Sequence, residues 1–207
     1  MVRLEANLLV LVATLASGAA HAGRPFFTDD ARVVDRGHCQ VESFYKEQRN
    51  YSGSEFWLLP ACNPGIELTV GGNRIDDERN LIVQAKTLFR ELRTNGYGIG
   101  ASAGSFGGRG FVNAIASFSL LDDRAVMHAN VGYLEAATWG VGLEALLWAP
   151  RVYGVAEAFG QRGEMPTFHY GIRFSVIPDR FQIDATRGDQ SGDPATRFYS
   201  IGVRILF

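Results

Sequence analysis

The chain has 207 residues, of which 46% are hydrophobic, and a formal net charge of −2. This length suits one domain, the hydrophobic content argues against disorder, and the lack of a basic patch argues against a nucleic-acid partner. Glycine accounts for 24 of the 207 residues, which is above its usual share of about 7%. Frequent glycine disfavours helices.

Residues 1–22 predict a secretory signal peptide. Arg3 precedes an apolar run from Leu8 to Ala16, and small residues follow up to Ala20-His21-Ala22. This order is typical of a signal that is cleaved after Ala22, and the run is too short to span a bilayer as a helix. A buried N-terminal helix is the alternative. We therefore expect export in a Gram-negative bacterium, with residues 23–37 forming a periplasmic segment.

Twelve segments that alternate apolar and polar residues follow, and each predicts a β-strand bounded by turn signals. One of them, 80–91, also fits an amphipathic helix, but the strand signals on both sides favour a strand. The segments cover residues 38–48, 54–62, 65–74, 80–91, 95–105, 110–121, 125–134, 139–148, 151–160, 167–177, 180–187 and 197–207.

These strands predict an all-β fold, a closed antiparallel up-and-down transmembrane β-barrel of about twelve strands over residues 38–207. The links after even-numbered strands are tight turns and those after odd-numbered strands are somewhat longer, as in bacterial outer-membrane barrels. The even strand number and the terminal aromatic Phe207 fit the same class. In lipid the sheet must close with its apolar face outward. The alternative is a soluble periplasmic barrel of the lipocalin type, which is apolar inside.

Side-chain parity assigns ten charged residues to the barrel interior. Five are acidic and five are basic, so we expect a network of ion pairs without a clear preference for anions or cations. Such a network either plugs a narrow barrel or lines a constriction that selects small polar solutes. The ten residues are Glu42, Lys46, Glu67, Lys86, Arg90, Glu144, Glu157, Arg173, Asp184 and Arg204.

The two cysteines, Cys39 and Cys62, lie at mirrored positions about the first predicted hairpin. In the oxidising periplasm we expect a disulfide, which closes a loop of about 23 residues and contributes about 3 kcal/mol in the chain-entropy model. Two unpaired buried thiols are the alternative. A zinc site is disfavoured because only His38 lies nearby. Pro60, inside the second strand, predicts a bulge or a short break because it removes a ladder hydrogen bond.

Candidate catalytic residues are few. After residue 22 the histidines are His38, His128 and His169, and no Gly-x-Ser-x-Gly motif is present. His169 and Ser200 fall on inward faces, but on strands separated by the eleventh, about 10 Å apart at the usual strand spacing. A histidine within hydrogen-bond reach of a serine or aspartate would favour an enzyme. We expect no enzymatic activity, metal or cofactor.

The segment RPFFTDDARVVDRGHCQVE, residues 24–42, resembles the opening of a group of proteobacterial outer-membrane barrels, including the family labelled for a MetA pathway of phenol degradation. The resemblance implies transport of small compounds, including aromatic ones. From the residues alone, Thr28-Asp29-Asp30 predicts a turn or cap. The residues that carry the resemblance are Pro25-Phe26, Thr28-Asp29-Asp30-Ala31, Gly37 and Cys39-Gln40-Val41-Glu42.

We therefore predict a passive channel or transporter for small solutes in the bacterial outer membrane. The alternatives are a structural or plugged barrel without transport, a lipid-modifying barrel enzyme and a soluble lipocalin-like binding protein. The expected partners are outer-membrane lipid and the barrel assembly machinery, which would bind the C-terminal strand. The sequence names no solute.

Overall fold

A computed structural model describes residues 27–48, 53–148 and 150–207 of the chain. In these ranges each strand pairs antiparallel with its neighbours in sequence, and the last strand pairs with the first, so the sheet closes. The predicted twelve-stranded up-and-down barrel is confirmed. No helix in the described ranges has the length and apolar character needed to cross a membrane. The strands are β1 Cys39–Gln48, β2 Ser54–Cys62, β3 Glu67–Ile75, β4 Glu78–Arg90, β5 Tyr97–Phe106, β6 Arg109–Leu120, β7 Ala125–Leu134, β8 Ala136–Trp148, β9 Val152–Gln161, β10 Thr167–Ile177, β11 Phe181–Gln190 and β12 Asp193–Leu206.

The barrel is apolar outside and polar inside. Along β10, the side chains of Phe168 and Ile172 are 48% and 53% exposed, whereas the alternating His169 and Arg173 are each 2% exposed. Because successive side chains of a strand point to opposite faces, this alternation repeats around the sheet. The arrangement is the reverse of a lipocalin-type barrel, which keeps its apolar face inside, and it suits a lipid environment.

Segment 80–91 forms a strand rather than a helix, but it ends in a β-bulge that the alternation of residues does not reveal. The register of β4 on β5 shifts between Leu88 and Arg90, so that Arg90 pairs with the exposed Ile99. A bulge adds one residue and reverses the parity of those beyond it. The assignment of Arg90 to the lumen is therefore wrong: its guanidinium lies outside, 3.9 Å from the centroid of the Tyr97 ring.

The start of β1 and the end of the chain lie together at one end of the barrel, the near end. There the Cys39 N–H donates to the Phe207 carbonyl at 2.8 Å, and the Phe207 N–H donates back at 2.9 Å. At the opposite, far end, Glu135 alone joins β7 to β8, whereas residues 91–96 join β4 to β5 at the near end. The expected longer loops at the far end are therefore wrong. Backbone pairing needs no apolar side chains, so several strands continue into polar sequence there.

Cys39 and Cys62 are directly paired across β1 and β2 and form the expected disulfide at the near end. The ladder between β2 and β3 is interrupted at Leu59 and Pro60, and the register is the same on both sides of the gap. Because proline has no N–H to donate, the pairing of β2 with β3 has a short break here, whereas β2 itself is continuous and has no bulge.

Residues 27–34, hereafter the lumen segment, lie inside the barrel. Ala31 and Val34 are 0% and 1% exposed, while residues 35–38 are exposed at the near end. The described part of the expected periplasmic segment, 23–37, thus lies largely in the lumen, because side chains of the barrel wall bind its backbone. The predicted signal peptide, 1–22, and residues 23–26 lie outside the described residues.

Candidate functional site in the barrel lumen

The Glu157 carboxylate on β9 binds the first residues of the lumen segment. Its Oε1 accepts the Phe27 N–H at 2.8 Å, and its Oε2 accepts the Thr28 N–H at 2.8 Å. The Phe27 ring packs against the Phe159 ring, with centroids 5.0 Å apart, and lies 5.4 Å from the His169 ring. Hydrogen bonds to a charged acceptor are stronger than neutral ones, so Glu157 is a principal anchor for this part of the segment.

Further side chains bind the backbone of the lumen segment towards the near end. Ser117 Oγ accepts the Ala31 N–H at 2.8 Å, and Glu67 Oε2 accepts the Val34 N–H at 2.6 Å. Asn63 Nδ2 donates to the Val34 carbonyl at 2.6 Å, and Asn130 Nδ2 donates to the Asp29 carbonyl at 2.7 Å. The segment therefore runs from the near end at Val34 towards the far end at Phe27.

Lys86 on β4 binds both aspartates of the lumen segment. Its Nζ lies 2.6 Å from Asp29 Oδ1 and 3.2 Å from Asp30 Oδ1. Asp30 is buried, and the nearby positive charge of Lys86 compensates the charge of its carboxylate. Asp30 Oδ1 also accepts the Arg32 N–H at 3.1 Å, which is the turn that the sequence predicts.

Two inward-facing glycines make room for the segment. A Cβ atom built at Gly140 on β8 would lie 2.5 Å from Thr28 Oγ1, and one at Gly98 on β5 would lie 3.1 Å from the Ala31 Cβ. Real Cβ contacts of 2.5 Å essentially never occur, so a larger residue at position 140 would force at least the Thr28 side chain to shift. The fit of the segment is thus built into the wall of the barrel.

Other predicted lumen charges form a second cluster. Arg173 Nη1 lies 2.5 Å from Glu144 Oε2, and Arg32 of the lumen segment lies 3.8 Å from Glu144 Oε1. Asp184 is the cross-strand partner of Arg173 and is 2% exposed. Because an unpaired buried charge is costly, this cluster also holds the segment to β8 and β10.

The remaining predicted charges lie nearer the two ends. Arg204 Nε donates to Gln40 Oε1 at 2.8 Å and lies 3.6 Å from Glu42 Oε1. Towards the far end, Lys46 Nζ lies 2.6 Å from Glu55 Oε1. Of the ten predicted lumen charges, all except Arg90 therefore face the interior.

Strand parity missed four lumen charges, and they change the balance. Glu55 shares a face with Trp57 and could have been found from β2 alone, whereas Asp29, Asp30 and Arg32 belong to a segment that is not a strand. Three of the four are acidic, and the basic Arg90 is outside. The expected equality of charges thus becomes an excess of acidic groups among the described lumen residues.

Two histidines contact hydroxyl groups, the feature that would favour an enzyme. His128 Nδ1 lies 2.8 Å from Ser117 Oγ. His169 Nε2 lies 2.7 Å from Thr186 Oγ1, and its Nδ1 lies 2.6 Å from Glu157 Oε1. The second set has the connectivity of a nucleophile, a base and an orienting acid.

These histidine clusters are buried beside the lumen segment. Ser117, His128 and His169 are at most 2% exposed, and the Ala31 N–H donates to Ser117 Oγ. Neither histidine lines the cavities of the lumen. Ser200, the candidate partner of His169, is buried on β12, and Thr186 on the intervening strand contacts the histidine. The clusters therefore act as supports for the lumen segment.

A cavity of about 450 Å³ lies beside the lumen segment, against β1 to β8. Three stacked rings, hereafter the aromatic shelf, line it: Phe44 and Trp57 have centroids 5.3 Å apart, and Trp57 and Phe106 have centroids 5.8 Å apart. Trp57 Nε1 donates to Glu55 Oε2 at 3.0 Å, which holds the indole in place. No group of three or more His, Cys, Asp or Glu side chains in the described ranges could hold a metal ion.

The comparisons with known proteins assign the family. A family model described as "Uncharacterised conserved protein UCP029691" matches residues 10–207. The chain belongs to this family. The resemblance to the MetA-pathway family is not confirmed. A search of curated proteins finds no match.

Solved structures share the barrel fold of this UCP029691 member. A KdgM porin in complex with disordered oligogalacturonate is 11% identical over 81% of this chain and 99% of its own, with a TM-score of 0.64. The NanC porin is 8% identical over 81% and 98%, with a TM-score of 0.59. The outer membrane protein Omp33 of Acinetobacter baumannii is 10% identical over 82% and 98%, with a TM-score of 0.58. At these identities the likeness is one of fold.

Proposed function

We propose that the protein is an outer-membrane β-barrel that acts as a passive channel for small solutes and is narrowed by its own lumen segment. The observation that carries the proposal is the cavity of about 450 Å³ beside the lumen segment, inside a barrel with an apolar exterior and a polar lumen. Solved porins with the same fold support it.

In this proposal the near end faces the periplasm. The signal peptide is cleaved after Ala22, and the barrel assembly machinery binds the C-terminal strand that ends at Phe207. The disulfide between Cys39 and Cys62 then lies on the periplasmic side, which is oxidising. Outer-membrane lipid covers the apolar exterior.

The position of the lumen segment explains how the channel selects solutes by size. Glu157, Ser117 and Glu67 accept hydrogen bonds from backbone N–H groups of the segment, and the cavity remains beside it. A solute therefore passes beside a constriction lined by polar and charged groups. Because every described contact of the segment is noncovalent, its displacement widens the path.

The second candidate is a plugged barrel without transport. The many buried contacts of the lumen segment favour it, because each would have to break before a wide pore opened. A lipid-modifying enzyme is less well supported: the hydroxyl groups near the two histidines are buried under the segment, and a substrate has no path to them.

Conductance in planar bilayers separates the channel from the plugged barrel, with Gly140→Ala as the decisive variant. The added methyl group would lie 2.5 Å from Thr28 Oγ1 and 3.3 Å from Thr28 Cβ, so the Thr28 side chain has to rotate or the lumen segment has to shift. We expect this to loosen the segment and to raise conductance above that of the unmodified protein. Gly160→Ala is the matched control on the neighbouring strand, because its Cβ would make an ordinary contact of 3.5 Å.

The channel proposal predicts measurable conductance for the unmodified protein and swelling of proteoliposomes in small solutes. If the unmodified protein shows no conductance and Gly140→Ala conducts, the plugged barrel is established. If neither the unmodified protein nor Gly140→Ala conducts, although both barrels are folded, the proposal of a channel narrowed by the lumen segment is refuted.

A further inference from the structure

The charged groups that line the lumen cavity already have partners. Lys86 Nζ pairs with both aspartates of the lumen segment. Glu42 Oε1 lies 3.6 Å from Arg204 Nε. Glu67 Oε2 accepts the Val34 N–H at 2.6 Å. A charged solute would have to displace one of these contacts or to enter the cavity without a partner for its own charge, which is costly.

The ring faces of the aromatic shelf are occupied as well. Trp57 is stacked between Phe44 and Phe106, and the Arg109 guanidinium lies 5.6 Å from the centroid of the Phe106 ring. Because these contacts cover ring faces that would attract a cation, the shelf adds apolar surface to the cavity rather than a cation site.

Further apolar side chains of β2, β4, β6 and β7 line the same cavity: Leu59, Ile82, Phe111 and Leu134. Leu59, Phe111 and Leu134 are only partly covered by the rest of the protein. The interior of a water-filled outer-membrane barrel is polar, so partly exposed apolar side chains inside this one favour a solute that covers them.

Two polar side chains within this apolar wall have hydrogen-bonding groups to offer. Thr69 on β3 and Gln84 on β4 are directly paired, line the cavity and are half-buried. Across the described part of the chain, neither side chain makes a hydrogen bond to another protein group. A Cβ built at the neighbouring Gly104 on β5 would lie 2.9 Å from both Gln84 Cα and Phe111 Cζ. An amide, a hydroxyl group and an apolar ring therefore meet in one part of the cavity.

We propose that this part of the cavity binds small uncharged solutes that combine an apolar body with one hydroxyl or carbonyl group. The apolar wall covers the body of the solute, and the Gln84 amide and the Thr69 hydroxyl bind its polar group, an arrangement that is typical of small-molecule sites. Charged solutes are disfavoured because the charges that line the cavity already have partners. The proposal deepens the channel function, on which it rests, by naming its substrate class.

Fluorescence of Trp57, which lines the cavity, tests the proposal in the purified, folded protein in a nonionic detergent. Trp139→Phe combined with Trp148→Phe removes the other two tryptophans, which are 40% and 77% exposed on the outer surface. The probes share a six-membered carbon ring: cyclohexanol, cyclohexanecarboxylate, cyclohexylammonium and myo-inositol.

We expect cyclohexanol to shift the emission of Trp57 to shorter wavelength in a saturable way, because it replaces water in the cavity. The carboxylate and the ammonium compound should bind at least about tenfold more weakly, because their charges find no partner. We expect no shift with myo-inositol, because its hydroxyl groups would face an apolar wall that cannot bind them.

Variants in the same background locate the site. Gln84→Leu should weaken cyclohexanol binding about threefold to tenfold, because the hydroxyl group of the solute loses its amide partner. Phe111→Ala should weaken it about tenfold through lost apolar contact, and Thr69→Val is the second polar variant if Gln84→Leu prevents folding. Gln182→Leu is the matched control, because Gln182 lies on β11 and lines neither lumen cavity. Its affinity for cyclohexanol should equal that of the parent protein.

The inference is overturned if the response to cyclohexanol does not saturate, or if either charged compound binds as tightly as cyclohexanol. It is also overturned if Gln84→Leu and Gln182→Leu have the same affinity for cyclohexanol. Bilayer conductance keeps this result separate from the channel proposal. Selective binding of cyclohexanol without conductance would retain the binding site and remove the channel, and conductance without selective binding would do the opposite.

Discussion

Replacing Glu157 by Gln is expected to detach the start of the lumen segment from the barrel wall. The carboxylate accepts the N–H groups of Phe27 and Thr28 and lies 2.6 Å from His169 Nδ1. Glutamine has almost the same shape but only one acceptor oxygen, and its amide group presents N–H donors. Because Glu157 Oε2 also lies 3.1 Å from the Phe27 nitrogen, the single amide oxygen can still accept from both N–H groups, but only as a neutral acceptor.

The size of the effect follows from these contacts. A hydrogen bond to a charged group contributes about 1.5 to 3 kcal/mol and a neutral one about 0.5 to 1.5 kcal/mol, so each of the two bonds weakens by about 1 to 1.5 kcal/mol. We expect docking of the first residues to weaken by about 2 to 3 kcal/mol. Since 1.4 kcal/mol corresponds to a factor of ten, the detached population rises by about 30-fold to 150-fold.

Amide hydrogen exchange of the peptide that contains Phe27 and Thr28 measures this population. Exchange should accelerate by the same factor, and mean conductance should rise. The matched control is Glu55→Gln, because Glu55 lies in the lumen and contacts Lys46 and Trp57 without a described hydrogen bond to the segment. If the folded Glu157→Gln variant exchanged the amide hydrogens of this peptide at a rate within about threefold of that of the unmodified protein, Glu157 would not be an anchor.

Three further outcomes are expected. Cys39→Ser combined with Cys62→Ser should leave the barrel assembled but lower its free energy of unfolding by about 3 kcal/mol; an unchanged denaturant midpoint would contradict this. Glu144→Ala should remove the carboxylate that Arg173 and Arg32 share and cost about 3 to 5 kcal/mol; unchanged heat stability with raised conductance would show that these charges line a solvated pore. Arg90→Ala should cost no more than about 1 kcal/mol, the size of an exposed cation–π contact such as the one with Tyr97, and leave ion selectivity unaltered. A clear change of selectivity would contradict its position outside the lumen.

The sequence alone predicts the fold class, because the alternation of apolar and polar residues that indicates it lies within each single strand. In β10 the outward Phe168 and Ile172 alternate with His169 and Arg173, and this alternation needs only the two-residue period of a strand. The disulfide is equally local, since Cys39 and Cys62 mirror each other about one hairpin. Closure then follows, because a sheet in lipid cannot leave an edge unpaired.

Parity also found most of the lumen charges, and it failed where the backbone departs from regular pairing. Arg90 has the correct parity for the lumen, but the bulge after Leu88 turns it outward. A bulge depends on how two strands meet, and no pattern within β4 alone reveals it. The same limit hid the extent of the far-end strands, whose polar residues pair through their backbones.

Only the tertiary structure decided what occupies the lumen. By itself the Thr28-Asp29-Asp30 sequence predicts a turn, and it does form one, but its binding partners lie on strands far away in the chain. Glu157 and Gly140 acquire their roles only when closure of the sheet brings β8 and β9 around the segment. The sequence by itself therefore determined the barrel and the direction of most side chains, because strand alternation is local. The docked segment and the excess of acidic groups in the lumen depend on contacts between distant residues, and only the closed barrel brings these together.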